Sequence, residues 1–182
     1  MIVKIDDPNS HLLCVKALKE KKIVIIPTDT IYGFSGIVPD TEESILQIKK
    51  RCIEKKMIRL IAEPSDVSLY TDQKIPDVFL KKWPGALTLI VKSKEDGESV
   101  AIRCPAFEWL RTIIKEVGKP IFSTSVNISG KKYFTSIKEI SKAFDKKVSL
   151  IIDAGELNTL PSTVLDLTYD QPLILRRGSV SV

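Results

Sequence analysis

Histidine is almost missing from this 182-residue chain: His11 stands alone, which leaves little room for a histidine-dependent triad or a His-rich metal site. Cysteine is scarce as well. Cys14, Cys52 and Cys104 are odd in number, widely spaced and form no CxxC pair, so neither a disulfide framework nor a zinc site is expected, and a reducing cytoplasm fits. Aromatic residues make up 7% and none lies beside the basic run "KKR", which counts against a base-stacking platform for RNA. No apolar run is long enough to cross a bilayer, and the start "MIVKIDDPNS" lacks a signal peptide's apolar segment, so no membrane role is expected. Repeats, low-complexity stretches and long linkers are also missing, which predicts a single domain over 1–182. Acidic residues fall only slightly short of basic ones, 23 against 28. The net charge of +5 permits anionic partners such as nucleotides or RNA without establishing them.

What the chain does have is an alternation of buried-strand and amphipathic-helix patterns. "MIVKI" and "KIVIIP" read as strands around a helix in "DPNSHLLCVKALKE", with Asp7 as cap and Pro8 at the first helical position. In "PDTEESILQIKK", Asp40 is placed to cap a helix, with Glu43 three residues on. "MIRLIA", the pair "ALTLIV" and "SVAIRC", "PIFSTS", "VSLIID", "STVLDL" and "PLILRR" read as further strands. Short helical pieces are expected around Pro64–Tyr70 and Pro76–Lys82. Longer helices are expected in "PAFEWLRTIIKEVG", closed by Gly118, and in "SIKEISKAFD". The sum is an α/β domain with a twisted, mixed parallel and antiparallel sheet and flanking helices.

Several strand or helix ends carry more polar groups than a turn needs. "VIIPTDTIYGFSG" follows four apolar residues with two threonines around Asp29, then Tyr32, Gly33 and Gly36. Thr28 and Thr30, Lys49 and Arg51, and Ser125 and Asn127 are each spaced i, i+2; Ser162 and Thr163 follow Pro161. Groups at i and i+2 share one side in extended chain and diverge on a helix, so Lys49 and Arg51 can meet one anion only if the helix stops near Lys49. Extended backbone would also turn Asp29 away from both threonines, which argues against a general-base role for it. The two glycines would let backbone approach a ligand closely. Taken singly, each segment has a plainer reading as a cap, a turn or a solvated charge. Trp83, before Pro84–Gly85, is expected to be a core aromatic.

Taken in order, "PTDTIYGFSG", "KKR", "WPGALTLIV", "AIRCP", "STSVNISG", "PSTVLDLT" and "ILRRGSV" resemble the YrdC-type family of L-threonylcarbamoyladenylate synthases, from about Lys21 to Val180. The resemblance implies a YrdC-like fold with a concave basic cleft. It implies synthesis of threonylcarbamoyl-AMP from L-threonine, bicarbonate and ATP with release of pyrophosphate. That nucleotidyl transfer is the first step of N6-threonylcarbamoyladenosine formation in tRNA. Magnesium would arrive on the ATP phosphates; no cluster of acidic residues marks a metal site in the protein. Transfer proteins of tRNA modification, and tRNA itself, are the implied partners. Lys49, Arg51, Ser125 and Asn127 match the family's signature tetrad at the nucleotide, the first two as catalytic cations, and Arg176 matches an arginine near the phosphates. Thr30, Tyr32, Arg103 and Ser162 match the threonine side.

The chain departs from the family pattern at Cys52 and Lys56–Met57, where proline and "PL" are common. Leu60 stands at a position where some members have histidine, Val126 replaces alanine, and Arg177 replaces proline. Val126 is expected to point into the core. Two alternatives remain beside the synthase: an RNA-binding module without catalysis, and a paralogue of the same fold acting on another carbamoyl or nucleotide substrate.

Overall fold

The computed structural model describes residues 1–50 and 57–182. The chain opens with β1 (Ile2–Lys4), α1 (Ser10–Lys19), β2 (Val24–Ile26), β3 (Gly33–Ile37), α2 (Glu42–Lys49) and β4 (Ile58–Leu60). A 3₁₀ turn (Pro64–Leu69) and α3 (Asp77–Leu80) lead to the hairpin of β5 (Leu87–Lys92) and β6 (Ser99–Arg103). Then come α4 (Glu108–Val117), β7 (Ile121–Ser125), α5 (Ile137–Phe144), β8 (Leu150–Asp153), β9 (Thr163–Asp166) and β10 (Leu173–Arg176). Among the described residues ten strands form one sheet in the order β1-β8-β2-β3-β7-β4-β6-β5-β9-β10. Pairs β1/β8, β2/β8, β4/β6 and β5/β9 are parallel and the remaining neighbours antiparallel, as the mixed-sheet reading requires. No described helix is long and apolar enough to cross a membrane.

Side-chain alternation decides what covers each face. In β2, Val24 and Ile26 meet one apolar cluster and Ile25 another; in β8, Leu150 and Ile152 join the first cluster and Ile151 the second. Helices α1 and α4 cover the first face through Cys14, Leu18, Leu110 and Ile113. Helices α2 and α5 cover the second through Ile45, Ile140 and Phe144, whose ring meets Phe34 edge-on at 4.9 Å. Each such side chain contributes roughly 1.5–3 kcal/mol by leaving water. A third cluster lies at the other end of the sheet, where Leu87, Leu89, Val100, Ile102 and Leu165 pack around Trp83. Trp83 is a core aromatic as expected, its indole N–H donating to the Leu87 carbonyl.

Local details differ from the sequence reading in four places. Helix α1 begins at Ser10 after Asn9, because the Asp7 carboxylate accepts from the Asn9 N–H and holds Pro8 in a turn ahead of the helix. Helix α2 is entered from Thr41; Asp40 instead accepts from the Lys21 ammonium at 2.8 Å. The segment Gly33–Ile37 is itself a strand, paired on both sides. Its glycines make room for the fold and not for a ligand: a β-carbon on Gly36 would lie 2.4 Å from Thr41 Oγ1, and one on Gly33 would lie 2.7 Å from Ser123 Oγ.

Candidate active site

Strands β5, β6 and β9 place their alternate residues, Thr88, Ile90, Ala101, Arg103 and Val164, on the face opposite the Trp83 cluster. None of these side chains belongs to the apolar clusters in which the described helices pack. They floor a cavity of about 330 Å³ walled by Thr28, Thr30, Tyr32, Ser123, Ser125, Ser162 and Arg176. The wall is rich in hydroxyls, carries two guanidinium groups and includes no carboxylate among the described residues.

The turn after β2 supplies one corner. Thr28 Oγ1 accepts from the N–H groups of Thr30 and Ile31 and gives its one proton to the Ile31 carbonyl at 2.8 Å. A hydroxyl has only that proton, so in the 2.9 Å contact between the two threonine hydroxyls Thr30 must donate. Thr30 Oγ1 also accepts from Arg103 Nη1 at 3.1 Å, and so presents acceptor character to a ligand. The segment is thus a hydroxyl-capped turn and not extended chain. That corrects the placing of Asp29: its Oδ1 accepts from Arg103 Nη2 at 2.6 Å and its Oδ2 from the Ala106 N–H at 3.1 Å. Arg103 is 4% exposed and its Nε donates to the Gly85 carbonyl. Burial pulls the guanidinium below its ordinary pKa, and the charge of Asp29 opposes that.

A bulge supplies the opposite corner. Along β10, Ile174 pairs with Leu165, whereas Arg176 pairs with Val164, one residue and not two further along β9. The extra residue, Leu175, turns Arg176 onto the cavity face while Ile174 packs against the Trp83 cluster. Arg176 donates to the Ser162 carbonyl at 2.9 Å and to Ser162 Oγ at 3.0 Å, and Thr88 Oγ1 lies 2.8 Å from the same Oγ. Burial lowers the Arg176 pKa, and the charge of Arg103 lowers it further, so the two cations sense each other across the cavity. No carboxylate among the described residues pairs with Arg176.

Lys49 ends α2, and Lys50 after it adopts a left-handed conformation, so the helix stops where the i, i+2 argument requires. Lys49 is 2% exposed, and its ammonium donates to the Ser125 carbonyl, to the Asn127 carbonyl at 3.2 Å and to Asn127 Oδ1 at 2.7 Å. Ser125 Oγ donates to the same Oδ1 at 2.9 Å. Lys49, Ser125 and Asn127 are therefore brought together, with Ser125 on the cavity wall and Lys49 behind it. Arg51 lies outside the described residues, as do Cys52 and Lys56.

With this geometry in view, comparison with known proteins identifies the group. The family model Sua5/YciO/YrdC, described as telomere recombination, matches residues 16–178. The chain belongs to the Sua5/YciO/YrdC family. A threonylcarbamoyl-AMP synthase of Bacillus subtilis is 32% identical over 179 residues, covering 90% of this chain and 52% of that protein, so the chain spans about half of that relative. The structure of Pyrococcus abyssi Sua5 complexed with L-threonine superposes with a TM-score of 0.89 at 30% identity, covering 98% of this chain and 57% of the other. Escherichia coli YciO superposes with a TM-score of 0.84 at 25% identity, covering 98% and 94%.

Among the family positions, Tyr32 borders the cavity, but its hydroxyl turns away: it donates to the Gly155 carbonyl at 2.7 Å and accepts from the Ala154 N–H at 2.9 Å. Burial pushes that phenol up to about 12. Leu60 packs in the α1/α4 cluster, so the departure there does not reach the cavity directly. Val126 is fully buried in the α2/α5 cluster, on the core side. Arg177 is exposed and is not on the cavity wall. Sequence reasoning missed several wall or support residues, among them Thr88, Met57 and Asp29. Only Asp29 carried a signal, as a lone acid in a buried, hydroxyl-rich turn, where a charge needs an opposite partner. Among the described residues no group of three or more His, Cys, Asp or Glu could hold a metal.

Proposed function

We propose that this chain is a threonylcarbamoyl-AMP synthase, acting as one catalytic domain over residues 1–182. The observation that carries the reading is the cavity itself: two guanidinium groups converge on a space walled by hydroxyls and without a carboxylate, so an anionic, hydrogen-bonding ligand is the natural occupant. The names of the synthase relatives and the L-threonine held by the Pyrococcus protein support it.

In this reading L-threonine and bicarbonate give a carbamate and water. A carbamate oxygen then bonds to the α-phosphorus of ATP, the bond from that phosphorus to the bridging oxygen breaks, and pyrophosphate leaves with the electron pair. The chain's work is positioning and charge stabilisation. Arg103 and Ser162 would hold the amino acid, with the Thr30 oxygen accepting from its nitrogen. Arg176, at the rim, would meet phosphate oxygens. Ser125 and Asn127, braced by Lys49, would take the nucleotide together with Arg51, completing a concave basic cleft. Magnesium would enter as part of the nucleotide substrate. Product transfer to tRNA by partner proteins would place the enzyme with the cytoplasmic tRNA-modification machinery.

The test is direct. The purified protein receives ATP and magnesium, with L-threonine and bicarbonate each added or omitted, while pyrophosphate is measured. Release that needs both additions is the expected result; release indifferent to threonine overturns the reading. The similarity to YciO favours a second reading, a paralogue with a different amine substrate, because this chain covers nearly all of that protein. Pyrophosphate release driven by another amine, with threonine inert, would favour it.

A further inference from the structure

We propose that Asp29 is a positioning residue that acts through Arg103, setting the guanidinium plane so that its remaining N–H groups meet the carboxylate of the amino-acid substrate; this rests on the synthase reading above. A guanidinium has five N–H donors. Three are committed, from Nε to the Gly85 carbonyl, from Nη1 to Thr30 Oγ1 and from Nη2 to Asp29 Oδ1. Two remain, one on each terminal nitrogen, and they form a usable fork only while the plane is held.

Asp29 is suited to hold it. Its contact with Arg103, at 2.6 Å, is the shortest of the three and the only one to a charged group. Its second oxygen is pinned by the Ala106 N–H, so the carboxylate ties the turn after β2 to the segment between β6 and α4. Side-chain exposure is 5% for Arg103 and 14% for Asp29, so water competes little for either group. The pair is also electrically balanced, which leaves Arg176 to supply net charge.

That balance makes the test sharp, because two roles for Asp29 predict opposite signs. If Asp29 only competed with the substrate carboxylate for Arg103, Asp29→Asn would tighten threonine binding. If it positions Arg103, the same change must weaken it, since the amide cannot accept at both oxygens' places. The expected result is a KM for L-threonine raised roughly tenfold or more, the scale of one hydrogen bond to a charged group. The KM for ATP should stay within about twofold, as the sites are held by different side chains. Arg103→Lys alone should also raise the threonine KM, and adding Asp29→Asn to it should raise it no further. A threonine KM in Asp29→Asn that is unchanged or lower overturns the proposal, as do effects of the two changes that multiply. If Asp29→Asn fails to fold, Asp29→Glu is measured in its place. A Glu variant that unfolds, or folds with the wild-type KM, assigns Asp29 to stability and overturns the proposal too. Wild type without threonine-dependent pyrophosphate release overturns the proposed function and this inference together; active wild type with an unaltered Asp29→Asn overturns this inference alone.

Discussion

Strands β2 and β5 both alternate their side chains between two faces, yet those faces end differently. In β2 helices cover both sides, Val24 and Ile26 under α1 and α4, and Ile25 under α2 and α5. In β5 only Leu87, Leu89 and Val91 are covered, while Thr88 and Ile90 look into the cavity. The closed half of the sheet is built to be buried on both sides, and its strand β2 reads as an unbroken apolar run. The open half interleaves Thr, Ala and Arg with its core residues, and that second set lines the cavity. Two-sided burial and cavity lining are thus divided along one continuous sheet.

Three experiments can break or sharpen that division. The largest expected effect is on the closed half: Ile151→Ala removes a fully buried side chain between α5 and the sheet and should cost about 2–5 kcal/mol. Denaturant unfolding would measure it, with the folded fraction keeping its substrate KM values; an equal loss of ligand affinity would show the halves to be coupled. On the open half, if Arg176 meets phosphate oxygens as the proposed function has it, Arg176→Ala should lower pyrophosphate release roughly 100-fold. The denaturation midpoint should hardly move, because β10 is an exposed edge strand. A large fall in that midpoint would mean that Arg176 braces the sheet.

A third effect appears only at alkaline pH and rests on the buried thiols. Burial pushes the Cys14 thiol, in the closed half, and the Cys104 thiol, in the open half, up to about 12. An unfolded thiol titrates near ~8.5. Between these values the native state binds more protons than the unfolded state, so stability is full below about pH 8.5 and falls as pH rises towards 12. Each thiol contributes a slope of up to ~1.4 kcal/mol per pH unit. Cys14→Ala should flatten unfolding free energy against pH over pH 9–11 by one thiol's share. An unchanged slope would show that Cys14 does not titrate differently on unfolding.

Much of the closed half was legible in the sequence because its signals are local. The run from Val24 to Ile26, the apolar spacing of α4 and the left-handed Gly118 behind it each follow from residues within a few positions. Helix caps were less legible: Asp7 and Asp40 look like caps, but a neighbouring N–H and a distant lysine claim their carboxylates. Strand β3 was hidden because two glycines and a serine carry no strand preference. They are small because Thr41 and Ser123 press against them from elsewhere in the chain.

At the site, the hydroxyl-rich turn, the stop of α2 at Lys49 and the polar end of β7 could be named from the chain alone. What each one touches could not. The i, i+2 rule puts Thr28 and Thr30 on one side of an extended strand; in the fold a hydroxyl-capped turn brings their hydroxyls together and sets Thr30 and Asp29 onto Arg103. The same rule would set Ile174 and Arg176 on one face, and the bulge at Leu175 separates them.

Apart from β3, the order of elements, the mixed sheet and the hydroxyl-rich segments that reach the cavity were determined by the sequence alone, since period and composition are short-range properties of a chain. Which face of the sheet stays uncovered, where Arg176 points and what charge Arg103 meets were decided only by tertiary structure. Arg176 is aimed by the register shift between β9 and β10, and Arg103 meets a carboxylate 74 positions away in the chain; no local pattern encodes either.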